Sequence, residues 1–190
     1  MYFGFKGQNY EVWGSVYPPG EDSYLLAESF TAKGRVLDVG CGSGIQSLTA
    51  AKTADYVLGI DINPEAVEVA RHNTKLNNMN NVEFILSDLF SHVNGKFDTI
   101  IFNPPYLPGK DGGKHALAWD GGIDGSEVIN QFIKNSGKHL TEDGIAYLLY
   151  SSLNDSDKIL AKISHEGFKH EIISSKKLFL ETLYVVKFGL

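Results

Sequence analysis

Cysteine is almost missing from this 190-residue chain, with Cys41 its single representative. One thiol cannot close an internal disulfide, and neither a second cysteine nor a His-x-x-x-His pair supplies zinc-ligand spacing. The sequence therefore reads as intracellular and metal-free. Long apolar runs are missing too, since none reaches the ~18 residues needed to span a bilayer. The opening residues, MYFGFKGQNYEVWG, lack the charged-then-apolar order of a signal peptide, so a cytoplasmic location without a membrane partner is expected. Excess positive charge is absent as well: 17 Lys and Arg face 23 Asp and Glu, for a formal charge of −6. Such a surface argues against indiscriminate binding to phosphate backbones and against nucleic acid as the direct substrate. No repeat, low-complexity tract or charge block marks a linker.

What is present is an ordinary globular composition, 43% hydrophobic, 21% charged and 12% aromatic. At this length roughly 70% of the extended surface is buried on folding, so one domain over residues 1–190 with an adequate core is expected. The glycine-rich stretch from Gly109 to Gly125 reads as a long loop.

From Arg35 onward short apolar runs alternate with amphipathic ones, the pattern of an α/β protein whose helices cover both faces of a mostly parallel sheet. Strands are expected at Arg35 to Gly40, Tyr56 to Asp61, Val82 to Leu86 and Phe97 to Phe102. Between them Asn63 is placed to cap a helix that starts with Pro64 and Glu65. Ser126 is placed to cap a second helix, and Thr141 to Gly144 to turn into the strand IAYLLY. A helix near Asp155 to Glu166 follows, then the strands HEIIS and TLYVVKF. Only KKLFLE separates these two, too little for a helical crossover, so they should pair antiparallel at the end of the sheet.

After the first strand comes Asp38-Val39-Gly40-Cys41-Gly42-Ser43-Gly44, then the helix IQSLTAAK. The spacing is Gly-x-Gly-x-Gly, without the Gly-x-Gly-x-x-Gly of a dinucleotide fold or the Gly-Lys-Ser/Thr of a P-loop, which disfavours NAD and ATP. Asp61 ends the second strand 17 positions after Gly44, where a carboxylate can accept both hydroxyls of a ribose. Asp88 follows the third strand, in reach of an adenine amino group. The plain alternative is that these aspartates are solvated strand-end residues. Cys41 reads as a small packing residue of the loop.

VLDVGCGSG, GIDINPEAVEVARHN and SDLF resemble the three cofactor-contact motifs of class I S-adenosylmethionine-dependent methyltransferases. The resemblance implies a Rossmann-like fold, a seven-stranded, mostly parallel sheet with an antiparallel last strand. It also implies that Asp38, Gly40, Gly42 and Gly44 line the methionine end of S-adenosylmethionine, that Asp61 holds the ribose, and that Asp88 and Leu89 hold the adenine.

The fourth strand runs into Asn103-Pro104-Pro105-Tyr106. Amide and base amino nitrogens are poor nucleophiles because their lone pairs are delocalised, so catalysis must orient them. The Asn103 side-chain oxygen and the Pro104 carbonyl can accept the two amino hydrogens, while Tyr106 can stack on the planar group. The same oxygens stabilise positive charge as it develops on nitrogen. Asn-Pro-Pro-Tyr resembles the signature of methyltransferases acting on adenine N6, cytosine N4 or glutamine nitrogen. It places Asn103, Pro105 and Tyr106 at the substrate, with Asn103 also against the cofactor.

VYPPGEDSYLLAES resembles the P-x-E-D-S/T-x-L-L segment of the HemK/PrmC family, in its short archaeal and eukaryotic branch, and WDGGIDGSEVI resembles a further segment of that family. By that likeness residues 1–34 contribute to the cofactor pocket: Ser23 touches the cofactor, Glu21 and Asp22 border it, and Tyr17 or Trp13 covers it. Packing of the N-terminal segment explains Trp13 and Tyr17 equally well. The likeness implies methylation of the glutamine in the Gly-Gly-Gln loop of a peptide-chain release factor. It also implies a small zinc-binding activator subunit that pairs with the methyltransferase sheet as a heterodimer. Adenine-N6 methylation, lysine methylation and a non-catalytic cofactor-binding scaffold stand as alternatives.

Overall fold

The computed structural model describes residues 1–106 and 126–190. The glycine-rich stretch from Gly109 to Gly125 lies outside the described residues. A hairpin of β1 (Tyr2–Phe5) and β2 (Gln8–Glu11) leads into α1 (Glu21–Ser29). Then come β3 (Arg35–Val39), α2 (Ile45–Ala50), β4 (Tyr56–Asp61), α3 (Pro64–Leu76), β5 (Val82–Leu86) and β6 (Phe97–Phe102). The remainder is α4 (Glu127–His139), β7 (Leu140–Ser151), α5 (Ser156–His165), β8 (Lys169–Lys177) and β9 (Thr182–Gly189).

Seven strands form one sheet in the order β5-β4-β3-β6-β7-β9-β8. The five from β5 to β7 are mutually parallel. The last strand in sequence, β9, runs antiparallel to both β7 and β8. The expected seven-stranded, mostly parallel sheet with an antiparallel last strand is therefore found. Strands covered on both faces need apolar residues at nearly every position, and β3, β6 and the second half of β7 are buried almost throughout. On one face Phe97, Phe102, Phe132, Tyr150 and Phe188 pack with Ile159 and Ile163 of α5, the rings of Phe102 and Phe132 lying 4.7 Å apart. The other face sets Leu25 and Leu26 of α1 against Ile101, Leu149 and Val185. Burying each such side chain is worth about 1.5–3 kcal/mol.

Local signals explain most boundaries. The Asn63 side chain accepts the Glu65 backbone N–H at 3.0 Å, and Pro64 occupies the first turn of α3, where its missing N–H is harmless. Asp155 caps α5 in the same way. Two expectations are corrected. Ser126 precedes α4 but makes no capping bond; its hydroxyl instead accepts from Asn130 Nδ2 at 3.4 Å. Thr141 to Gly144 do not form a turn outside the strand, because β7 already starts at Leu140. Phe97 pairs with Leu140 and Thr99 with Ile145, so these residues bulge from the ladder.

Candidate active site

A cavity of about 540 Å³ opens at the carboxyl ends of β3, β4, β5 and β6. In open α/β sheets this end collects ligands because each strand there passes into a loop and a helix N-terminus. Gly40, Gly42 and Gly44 all have positive φ, at 65°, 51° and 82°. At Gly44 a Cβ would also stand 3.2 Å from that of Ala70, so the loop needs glycine there for both backbone and packing.

The loop is tied to the next strand by Asp61. Its Oδ2 accepts the Gly42 N–H and its Oδ1 the Asn63 N–H, each at 2.9 Å. Burial raises the carboxyl above its usual range, with these backbone bonds opposing the rise. Leu89 is held at φ 43°, a left-handed conformation unusual for a branched residue, while its carbonyl accepts from Ser87 Oγ at 2.7 Å.

The N-terminal segment closes one side. Ser15 donates its N–H to Glu65 Oε2 at 2.8 Å, its hydroxyl bonds the same oxygen, and Asn63 Nδ2 donates to that hydroxyl at 3.0 Å. At the end of β6, Asn103 Nδ2 donates to Asp22 Oδ2 at 3.0 Å and to Ser23 Oγ at 3.4 Å. The Tyr106 carbonyl accepts from Asn154 Nδ2 at 2.8 Å, and Asn154 in turn accepts the Ser151 N–H at 3.1 Å. These bonds fix the Asn-Pro-Pro-Tyr loop against the end of β7.

Of the residues singled out from sequence, the cavity wall includes Ser23, Gly40, Gly42, Asp61, Asp88, Leu89, Asn103 and Pro105, with Tyr17 beside them. Asp38 is not on the wall. It is 0% exposed beneath the loop, accepting from Ser47 Oγ at 2.5 Å. Gly44 starts α2 behind the wall, Pro104 is buried, and Tyr106 is half-buried against the core. Glu21 is exposed and paired with Lys176, and Trp13 lies edge-on to His72 at 5.2 Å, away from the cavity. Cys41 is on the wall but almost wholly buried, and burial pushes its thiol well up, so it is a poor nucleophile. Val16 and Glu127 also line the cavity and lie within the two segments that carry the family resemblance, though neither was singled out there, while Ser15, and Gln131 of α4, were missed. Gln131 approaches from far along the chain, and no local pattern announces it.

Among the described residues five buried side-chain atoms have no hydrogen-bond partner, and three belong to the wall: Ser43 Oγ, Gln46 Oε1 and Asn103 Oδ1. Buried polar atoms are normally satisfied, so such a group on a cavity wall suits a ligand bearing both polar and apolar parts. No helix among the described residues is long and apolar enough to cross a membrane.

A seven-stranded sheet of this order, with a glycine loop, a strand-end carboxylate and an Asn-Pro-Pro-Tyr loop around one cavity, is the arrangement of a class I methyltransferase. The chain matches the methyltransferase small domain over residues 20–177 and belongs to that family, on its HemK-like branch. It is 40% identical, over 98% of each chain, to a Methanocaldococcus jannaschii protein provisionally named a protein N5-glutamine methyltransferase. It is 30% identical to the human methyltransferase HEMK2, covering 93% of this chain and 91% of the human one. Among solved structures, the E. cuniculi Mtq2-Trm112 complex, described as responsible for methylation of the translation termination factor eRF1, contains a similar chain. The TM-score is 0.75 at 28% identity, covering 93% of this chain and 99% of that one. The cofactor is S-adenosylmethionine, and the chain is an S-adenosylmethionine-dependent methyltransferase.

Proposed function

We propose that this enzyme, acting as a single domain, methylates the side-chain nitrogen of the glutamine in the Gly-Gly-Gln motif of a peptide-chain release factor. The observation that carries the reading is the Asn103 side chain: its oxygen is buried and unpartnered on the cavity wall while its nitrogen is tied back to Asp22 and Ser23. A fixed acceptor at that point suits a primary amide. Asn103 Oδ1 and the Pro104 carbonyl accept the two amide hydrogens, directing the nitrogen lone pair to the cofactor. Both oxygens bind more tightly as the nitrogen becomes positive, which lowers the barrier rather than merely holding substrate. Pro104 and Pro105 stiffen the loop, and Tyr106 offers an aromatic face to the planar amide.

The cofactor supplies an electrophilic methyl group carried on a sulfonium. For holding it, Asp61 keeps carboxylate lone pairs beyond those used by Gly42 and Asn63, suited to ribose hydroxyls. Asp88 and Leu89 stand where the adenine is expected, and Ser23, Gly40 and Gly42 with Asp38 beneath them serve the methionine end.

The names of the relatives support a glutamine acceptor and translation termination. The Mtq2-Trm112 neighbour supports a small partner subunit, which we place on the free edge of β5. That strand pairs only with β4 among the described residues, and Leu86 at its end is 53% exposed. Such an edge is a template for another chain.

The test is a labelled-methyl assay with intact release factor and adenine-containing nucleic acid offered side by side. Label on the glutamine alone is expected. Asn103→Ala should lower kcat roughly 10²- to 10³-fold with little change in cofactor affinity. Normal turnover by that variant would reduce Asn-Pro-Pro-Tyr to a structural turn.

A further inference from the structure

Asp22 and Asn103 lie 81 residues apart in sequence, yet their side chains are hydrogen-bonded in one part-buried cluster. The Asp22 side chain is 4% exposed, and no salt bridge involves it among the described residues. Its Oδ1 accepts from the Tyr17 hydroxyl at 3.0 Å and from Ser23 Oγ at 3.3 Å, leaving Oδ2 for Asn103 Nδ2.

An amide has two ends of nearly the same shape, one donating and one accepting, and its neighbours decide which way it faces. A carboxylate only accepts, so beside Asp22 the amide must present its nitrogen. The oxygen is then left toward the cavity, where it is found without a partner. Turned over, Asn103 would set its oxygen against a carboxylate oxygen and offer the acceptor amide a donor where an acceptor is required. That error would leave the packing almost unchanged and spoil the chemistry.

We propose that Asp22 is a positioning residue for methyl transfer. It selects the orientation of the Asn103 amide, and the Tyr17 and Ser23 hydroxyls hold its carboxylate at the angle that does so. The inference rests on the acceptor-orienting role given to Asn103 above. An acidic residue in the first turn of α1 also favours the helix dipole, so loss of stability alone would not establish it.

The experiment uses the full chain, labelled S-adenosylmethionine and an intact release factor, with cofactor affinity measured by calorimetry. Asp22→Asn, which can turn Asn103 over, should lower kcat about tenfold to a hundredfold at unchanged cofactor affinity. Asn103→Asp should also lower it, because two carboxylates then face each other. Combining the two restores a donor opposite an acceptor, with an oxygen still toward the cavity, so the double variant should exceed each single variant by about fivefold or more. In the cofactor-free protein, the NMR signal of the Asn103 side-chain amide, assigned by its loss in Asn103→Ala, should move in Asp22→Asn and move less in Tyr17→Phe. That signal reports the orientation without any turnover. Wild-type kcat in Asp22→Asn alongside an impaired Asn103→Ala would overturn the proposal and spare the role of Asn103. A double variant no better than the single ones, or an unmoved amide signal, would overturn it as well. Normal kcat in Asn103→Ala would remove the reading beneath it.

Discussion

Replacing Asp38 by asparagine should stabilise the cofactor-free protein, and should do so only above acidic pH. The carboxyl is fully buried, one oxygen bonded to Ser47 and the other unpartnered. Burial is the main cause of its rise from the ordinary 3.8 to about 7, opposed by the bonds from Ser47 and reinforced by the nearby charge of Asp61. Between those two values the folded protein keeps a proton that the unfolded chain has released. Stability from this group therefore falls as pH rises from about 4 to about 7 and is level outside that window. At about 1.4 kcal/mol per tenfold change in proton affinity, the interval sets an upper limit of about 4 kcal/mol. An amide at this place keeps an acceptor for Ser47 and carries no charge. Urea unfolding of both proteins from pH 4 to 8 measures the difference, and titrating groups remote from Asp38 cancel in the comparison. The two should agree near pH 4, with Asp38→Asn ahead by about 1–4 kcal/mol at pH 8. A constant difference across the range would show that the Asp38 carboxyl is not the titrating group. Weaker cofactor binding by the more stable variant is also expected, since functional sites commonly sacrifice stability to hold a charge in place.

Asp61→Ala removes both the carboxylate proposed for the ribose and the tie between the loops at Gly42 and Asn63. Calorimetry should find cofactor binding at least about tenfold weaker, with a lower melting temperature that bound cofactor corrects only in part. Leu86→Lys places a charge on the free edge of β5. Its expected effect is weaker co-purification with a small partner subunit while the isolated chain keeps its melting temperature within a few degrees, and unchanged co-purification would move the partner elsewhere.

Much of this architecture was legible in the sequence because its signals are local. The four strands leading to the site each end beside a polar or glycine-rich turn, and Asn63-Pro64 marks a helix start within three residues. The β1–β2 hairpin also has a local signal: Lys6 and Gly7, both at positive φ, form the two-residue turn such hairpins favour. Other features depend on distance along the chain. The bond from Asp22 to Asn103, the seat of Ser15 on Glu65 and the arrival of Gln131 at the cavity arise from packing between remote segments, which no window of sequence contains. Asp38 illustrates a different gap. Its motif places it beside the cofactor, whereas its burial under the loop is a property of the folded sheet.

The placement of β9 bears on how the chain is made. Of the described elements it leaves the ribosome last, yet it lies between β7 and β8, with Leu183, Val185 and Val186 wholly buried. Until it arrives, β7 offers an open edge and β8 has no neighbour in the sheet, because β9 is its sole pairing partner among the described strands. From the completion of β7 at Ser151 until β9 arrives, the nascent molecule thus carries an unpaired strand and an uncovered apolar surface, the kind of intermediate that chaperones shield. A strand inserted last among those described makes completion of the sheet a closing event, sealed only after its other six strands are in place.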